Sequence, residues 1–519
     1  MQFQSRFITC LLALSFLSCS HSLFAQALQL PSPLRTWFYP ANTRYYVDSV
    51  AGSDTNDGLS ADHPWQSLDK VNTGIFAPGD TIYLKCDSHW NDFFSPAGSG
   101  ALKQPIRVTS YGKGAKPQID TQGKYLATVS IQNGEYWDIE DLDVTNTSTT
   151  HPPMLRGVEF SLLDFGTAHG VVLRNLDVHD VASAEDKGNG GSGIFCDNRG
   201  DRVQSRFDGL LIEGCHLWHN DRNGITMDCG YWHRPQWYPN LNVIIRGNLV
   251  EHTGGDCIVA IGCDGALLEH NIVHGGRERC PEYAAGIWVW SCDNSILQYN
   301  ECSGMVGTED AQGFDADYNT RNTLIQYNYS HDNQGGFVMM CTPGDANSDM
   351  FGNIGTTIRY NISQNDGFRT FTMSGPIHNA QIYNNTIYIS KTDNPILFFA
   401  WNWGGAWPDK DTFANNIFQA DGKTTFAMGG STNMTYTNNV FYGTYAPPPP
   451  TDPHAVTVNP LLKAPGLGAN GIETLDGYHI DRNSPCDDAG MIIPNNGGKD
   501  FFGKNIPSDK TPTVGASQG

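Results

Sequence analysis

The segment "GTEDAQGFDADYNTRN" (Gly307–Asn322) places four acids, Glu309, Asp310, Asp315 and Asp317, within nine residues. Carboxylates this close repel one another, so the arrangement costs stability unless a shared proton, a cation or a reaction uses it. Asp315 and Asp317 bracket one alanine. On a β-strand such i, i+2 residues leave the same face roughly 6–7 Å apart. That lies between the carboxyl separations of retaining glycosidases, about 5–5.5 Å, and inverting ones, about 6.5–9.5 Å. The acid of such a pair needs a raised pKa, which a like-charged neighbour and apolar walls supply. Asp315 and Asp317 are therefore the candidate catalytic pair, with Asp310 and Glu309 in reserve.

What must hold these side chains is a repeat. "NVIIRGNLVEHTGG", "GALLEHNIVHGG", "NSILQYNECSG", "NTLIQYNYSHDNQGG" and "GTTIRYNISQNDG" each carry a short alternating segment, an asparagine and a second short segment. The asparagines are Asn248, Asn271, Asn300, Asn328, Asn361, Asn385, Asn416 and Asn439, spaced 23 to 33 residues apart. A variable repeat of this length without helical periodicity predicts the coils of a parallel β-helix, with the asparagines stacked at a left-handed turn. A β-propeller is the alternative, but its blades are longer and four-stranded.

Between the asparagine segments lies another strand, aligned from "GIFCDNRG" (Gly193) through "GFDADYNT" (Gly313) to "GFRTFTMS" (Gly367). Ile194, Ile225, Ile258, Ile287, Phe314, Phe337 and Phe368 then form an inward column. The outward positions are Phe195 and Asp197, Thr226 and Asp228, Val259 and Ile261, Trp288 and Trp290, Asp315 and Asp317, Val338 and Met340, Arg369 and Phe371. Adjacent coils lie about 4.8 Å apart, so Trp288 and Trp290 flank the acids. Aromatic faces for pyranose rings beside paired carboxylates read as a sugar cleft. Asp197 and Asp228 form a second acidic cluster, suited to a substrate subsite or, with Asp256, to calcium. The loops "CGYWHRPQWYPN" (Cys229–Asn240) and "AWNWGGAWPD" (Ala400–Asp409), the latter with Trp401 and Trp403, extend the aromatic surface.

The array resembles the right-handed parallel β-helix of the pectin-lyase-like superfamily of secreted bacterial carbohydrate-active enzymes. "YYVDSVAGSDTNDGLSADHPWQSLDKVN" resembles the N-terminal cap of such proteins and "GYHIDRNSPCDDAG" their C-terminal cap. The resemblance implies an all-β, single-stranded right-handed parallel β-helix with caps. It is laid out as a signal peptide (1–27), N-terminal cap and first coils (28–110), β-helix (111–445) and C-terminal cap or tail (446–519). It implies a polysaccharide or oligosaccharide substrate, with hydrolase and lyase chemistry both open.

A glycoside hydrolase needs no cofactor. A calcium-dependent polysaccharide lyase would need a basic residue, yet no lysine lies between Lys187 and Lys391, which leaves Arg369 as base. A non-catalytic glycan-binding β-helix is the third reading. His331 belongs to a row of turn histidines and lies one coil beyond Asp317, where it could assist a carboxylate, as a histidine does in the polygalacturonase branch.

Net charge is −22, from 32 basic and 54 acidic residues, which disfavours nucleic acid and anionic membranes as partners. Arg6, an apolar run and Ala25-Gln26-Ala27 read as a cleavable leader. The run is too short for a membrane span, and a lipoprotein site at Cys19 departs from the usual pattern. A secreted monomer is expected. Beyond the leader eleven of thirteen cysteines remain, several in the repeat, which favours buried thiols over a disulfide framework.

Overall fold

The computed structural model describes residues 37–38, 41–344, 352–468 and 471–519. The leader lies outside them. No helix among them is long and apolar enough to cross a membrane. The chain winds into a right-handed parallel β-helix whose coils each contribute three short strands, one to each of three faces. The first face includes Ile296–Gln298, Leu324–Gln326 and Thr357–Arg359. The second includes Glu301–Met305, Tyr329–His331 and Ile362–Gln364. The third, which bears the acids, includes Ile287–Trp290, Gln312–Ala316 and Gly336–Cys341. Every strand pairs in parallel with its counterpart one coil away, a one-way stack no propeller produces. Aliphatic and phenyl side chains from all three faces fill one continuous core.

The corner between first and second faces is held by the predicted asparagines. Asn328 Nδ2 donates to Asn361 Oδ1 (3.0 Å) and to the Leu297 carbonyl (2.9 Å), while its own Oδ1 accepts from Asn300 Nδ2 (3.0 Å) and the Asn300 N–H (3.0 Å). The same pattern runs from Asn248 to Asn439, where Asp452 closes it by accepting from Asn439 Nδ2 at 3.0 Å. These amides are buried, so each satisfied bond also avoids a desolvation penalty. The left-handed residue is not the asparagine, as the sequence suggested, but the one before it: His270, Tyr299, Tyr327 and Tyr360 all have φ between 50° and 55°. The corner turns one residue early, which aims the following amide inward.

On the third face the inward column Ile194–Ile225–Ile258–Ile287–Phe314 and the outward column Phe195–Thr226–Val259–Trp288–Asp315 stand as read from the sequence. The next coil slips by one. Phe314 pairs with Val338 and Asp315 with Met339, so Val338 and Met340 belong to the core. Met339 and Cys341 take the outward places. One coil further Phe371 pairs with Val338 and is also inside. "FVMM" is apolar throughout, so alternation could not fix its register.

The segment after the last coil runs back along the second face. Leu475, Tyr478 and Val514 pack on Tyr329, Ile362 and Ile417. The Gly468 N–H and the Tyr478 hydroxyl both donate to Gln364 Oε1.

Replacing Asn328 with alanine removes donors and acceptors that two neighbouring coils use. Urea unfolding should show a loss of about 3 kcal/mol, with the parallel-sheet circular dichroism intact at low denaturant. A change below about 0.5 kcal/mol would show the ladder to be incidental.

Candidate active site

Asp315 and Asp317 leave the third face on its outer side, next to Trp288 and Trp290 of the preceding coil. They do not face open water. Asp315 is only 2% exposed, and its Oδ1 is buried with no hydrogen-bond partner. Burial, then the neighbouring Asp317 and Asp310 carboxylates, push its pKa well above the usual range. This environment favours the protonated form of Asp315. Asp317 is half-buried. Burial raises it to about 6, held from rising further by the Cys341 thiol and the Tyr318 N–H, which donate to its Oδ1 at 2.8 and 2.6 Å.

Asp310 reaches the same cluster from the loop before the strand and stays partly exposed. Burial raises it to about 7, moderated by Lys187. Asp310 and Ala311 both adopt left-handed backbone, with φ of 62° and 61°. For non-glycine residues this costs about 1–3 kcal/mol each, a strain found where a functional group must be aimed. The Ala311 N–H to Ala284 carbonyl bond (2.8 Å) and the contacts of Arg277 with Glu309 (3.6 Å) and the Val306 carbonyl (2.9 Å) hold the loop.

Lys187 is the residue that sequence reasoning set aside. Its loop folds back over two coils. The Lys187 N–H donates to Glu282 Oε2 (3.0 Å) and Nζ to the Tyr283 carbonyl (3.4 Å), and the ammonium lies 5.6 Å from the Trp288 ring centroid. Its charge acts on Asp310, Asp315 and Asp317 alike. No strand periodicity could announce a loop that crosses coils.

Beneath this lies a buried pair. Arg222 Nη1 sits 3.1 Å from Asp256 Oδ2, and Asp256 Oδ1 accepts from Trp288 Nε1 (3.1 Å) and the Ala285 N–H (2.9 Å). Asp256 is thus an anchor that orients Trp288. Asp197 and Asp228, the other residues read as a calcium or substrate cluster, are bridged by one guanidinium, with Arg199 Nε 2.9 Å from Asp197 Oδ2 and Nη2 on Asp228. Arginines occupy the places where a cation was expected at all three aspartates. Among the described residues one His/Cys/Asp/Glu group is close enough to hold a metal: Asp315, Asp317 and Cys341, with donor atoms within 4.8 Å.

The two aromatic loops meet across the acids. Trp232 and Trp290 lie 5.0 Å apart, Trp290 and Tyr318 5.6 Å, Tyr318 and Trp403 5.1 Å, and Trp403 stacks at 6.4 Å on Trp401. This chain of half-buried rings passes beside Asp317, and Trp290 Nε1 in it has no protein partner. The Arg369 guanidinium lies between the Phe368 and Phe399 rings at 4.5 and 3.9 Å, within electrostatic reach of Asp310. Burial lowers the guanidinium's pKa.

His331 is not in the site. It projects from the second face, where its Nδ1 pairs with Asp332 (2.9 Å) and its Nε2 with Glu301 (3.2 Å), under the C-terminal segment that donates the Ile472 N–H to Glu301. Although burial disfavours its charge, the two carboxylates hold it at about 9. The histidine lies one coil on along the chain, but on another side of the prism. All eleven described cysteines are free and buried.

Comparison with known proteins agrees with this architecture. The model of the right-handed β-helix region matches residues 192–387. A lacto-N-biosidase of Bifidobacterium longum subsp. longum is 29% identical over 87% of this chain, which spans about a third of that relative (35%). The GH136 lacto-N-biosidase of Eubacterium ramulus superposes with a TM-score of 0.61 at 29% identity, covering 72% of this chain and 68% of that one. XylC in complex with xylose shares the fold at a TM-score of 0.51 and 12% identity, over 92% and 98% of the two chains.

Arg222→Gln leaves Asp256 buried without its counter-charge. Chemical denaturation should register a loss of about 3–5 kcal/mol, and the emission of Trp288 should shift as its indole loses a fixed acceptor. Stability within about 1 kcal/mol of the parent would show that Asp256 does not depend on the pair.

Proposed function

We propose that the protein is a glycoside hydrolase acting on an oligosaccharide, with Asp310 and Asp317 as the reacting carboxyls. The observation that carries this reading is a graded set of three acids on one wall: Asp315 buried and pushed well above the usual range, Asp310 reachable near pKa 7, and Asp317 reachable near 6 with two donors on its carboxylate. Groups whose environments push their pKa values apart divide into acid and base. Asp310 protonates the glycosidic oxygen as the bond to the anomeric carbon breaks. The charged Asp317 faces the positive charge developing on that carbon, and water completes the cleavage. Asp315 lies beneath in an environment that favours its protonated form, and Trp290 and Tyr318 offer ring faces to the sugar.

The likeness to lacto-N-biosidases supports the class and nominates a lacto-N-bioside as first substrate. The leader supports action outside the cytoplasm. The lyase reading would rest on Arg369 as base. Arg369 lies between two phenyl rings, and Lys187 sits above the tryptophan as a counter-charge for the acids.

A panel of chromogenic glycosides including a lacto-N-bioside tests the reading. Release of reducing sugar without a rise in unsaturated-product absorbance supports hydrolysis. Asp310→Asn and Asp317→Asn should each lower kcat at least about 1,000-fold, while Asp315→Asn, isosteric with a protonated acid, should keep turnover within about tenfold. Equal loss in all three would remove the division of roles.

The rate profile should be bell-shaped. kcat/KM falls below about pH 6 as Asp317 gains a proton and above about pH 7 as Asp310 loses one, the two values belonging to the coupled set. Chelator should leave the profile unchanged. A flat profile between pH 4 and 9 would contradict the assignment.

A further inference from the structure

We propose that Cys341 is a positioning residue of this site: its S–H holds one oxygen of the Asp317 carboxylate, in its charged form, so that the other faces the cleft. The inference rests on Asp317 being a reacting carboxyl.

Cys341 occupies the outward place opposite Asp317 on the next coil, the place opened by the one-residue slip in register. Its side chain is 3% exposed, and Sγ lies 2.8 Å from Asp317 Oδ1. The Tyr318 N–H donates to the same oxygen. Neither donor touches Oδ2, so the two together fix the carboxylate plane and leave one oxygen for the reaction. Burial, then the adjacent Asp317 and Asp315, keep the sulfur in its thiol form, and a thiol facing a carboxylate can only donate. An ionised cysteine here would add a further negative charge to the cluster.

The groups that face Asp317 are Asp315 on its own strand, Asp310 and Lys187 from the covering loops, Asp256 from the earlier coils and Cys341 from the next coil. All the carboxyls among them disfavour its charge. The ammonium of Lys187 sits at the exposed rim, where solvent weakens it. Cys341 is the buried side-chain donor that favours the charged form, through a short contact that no solvent screens.

Two variants separate positioning from mere packing. In Cys341→Ala the donor is lost. The Asp317 carboxylate is less stable, its proton affinity rises, and the acid limb of kcat/KM moves upward by about one pH unit, with kcat at pH 5.5 down about tenfold and KM within about twofold. Cys341→Ser restores a donor of similar size and should recover most of both. Titration of the Asp317 carboxyl by 13C NMR in the three proteins reads the same shift without turnover. If no glycoside is cleaved by the parent protein, the functional reading fails, and the NMR titration still decides the role of the thiol. An Asp317 midpoint unmoved in Cys341→Ala, or a serine variant as impaired as the alanine one with the same thermal unfolding, overturns the proposal.

Discussion

Coil-to-coil register is the constraint on which everything else depends. In a β-helix a side chain meets its neighbours because the strand above and the strand below are in phase, and a slip of one residue exchanges core for surface. The amide ladder from Asn248 to Asn439 sets that phase, since each asparagine binds the next coil through both side-chain and main-chain groups. A buried, fully satisfied polar column tolerates one alignment, whereas stacked aliphatic residues tolerate several. With the corner fixed, the parallel strand pairing brings Trp288, Asp315 and Met339 into line on the far face.

The acid cluster is expensive against this background. Three carboxyls share a wall with little solvent, two successive residues hold left-handed backbone, and buried polar atoms on Asp315 and Trp290 lack partners. Three carboxyls packed together with an unpartnered buried oxygen on Asp315 and an unpartnered indole N–H on Trp290 suit a surface shaped for a ligand rather than for stability. The buried Arg222–Asp256 pair and the loop bearing Lys187 support that surface from below and above.

Much of this was legible in the sequence. The asparagine spacing gave the coils, and alternation in "GIFCDNRG", "GITMDCGY", "GIWVWSCD" and "GFDADYNT" placed both aspartates and both tryptophans outward. What was not legible has physical causes. The run "GFVMM" carries no alternation, so the outward place of Cys341 and the inward one of Phe371 were hidden. The fold-back of the Lys187 loop depends on contacts with Glu282 and Tyr283 nearly a hundred residues away. The burial of Asp315 was hidden too, because strand alternation says which way a side chain points and not what packs over it. His331 misled because adjacency along the chain is not adjacency around the prism.

The most direct measurement is a crystal structure of the Asp310→Asn protein with an oligosaccharide bound. The account expects a pyranose ring lying on Trp290 and Tyr318, its anomeric carbon within about 3.5 Å of Asp317 Oδ2, and the leaving oxygen facing residue 310. A sugar bound on another face of the helix, or seated with no ring atom near Asp317, would contradict it.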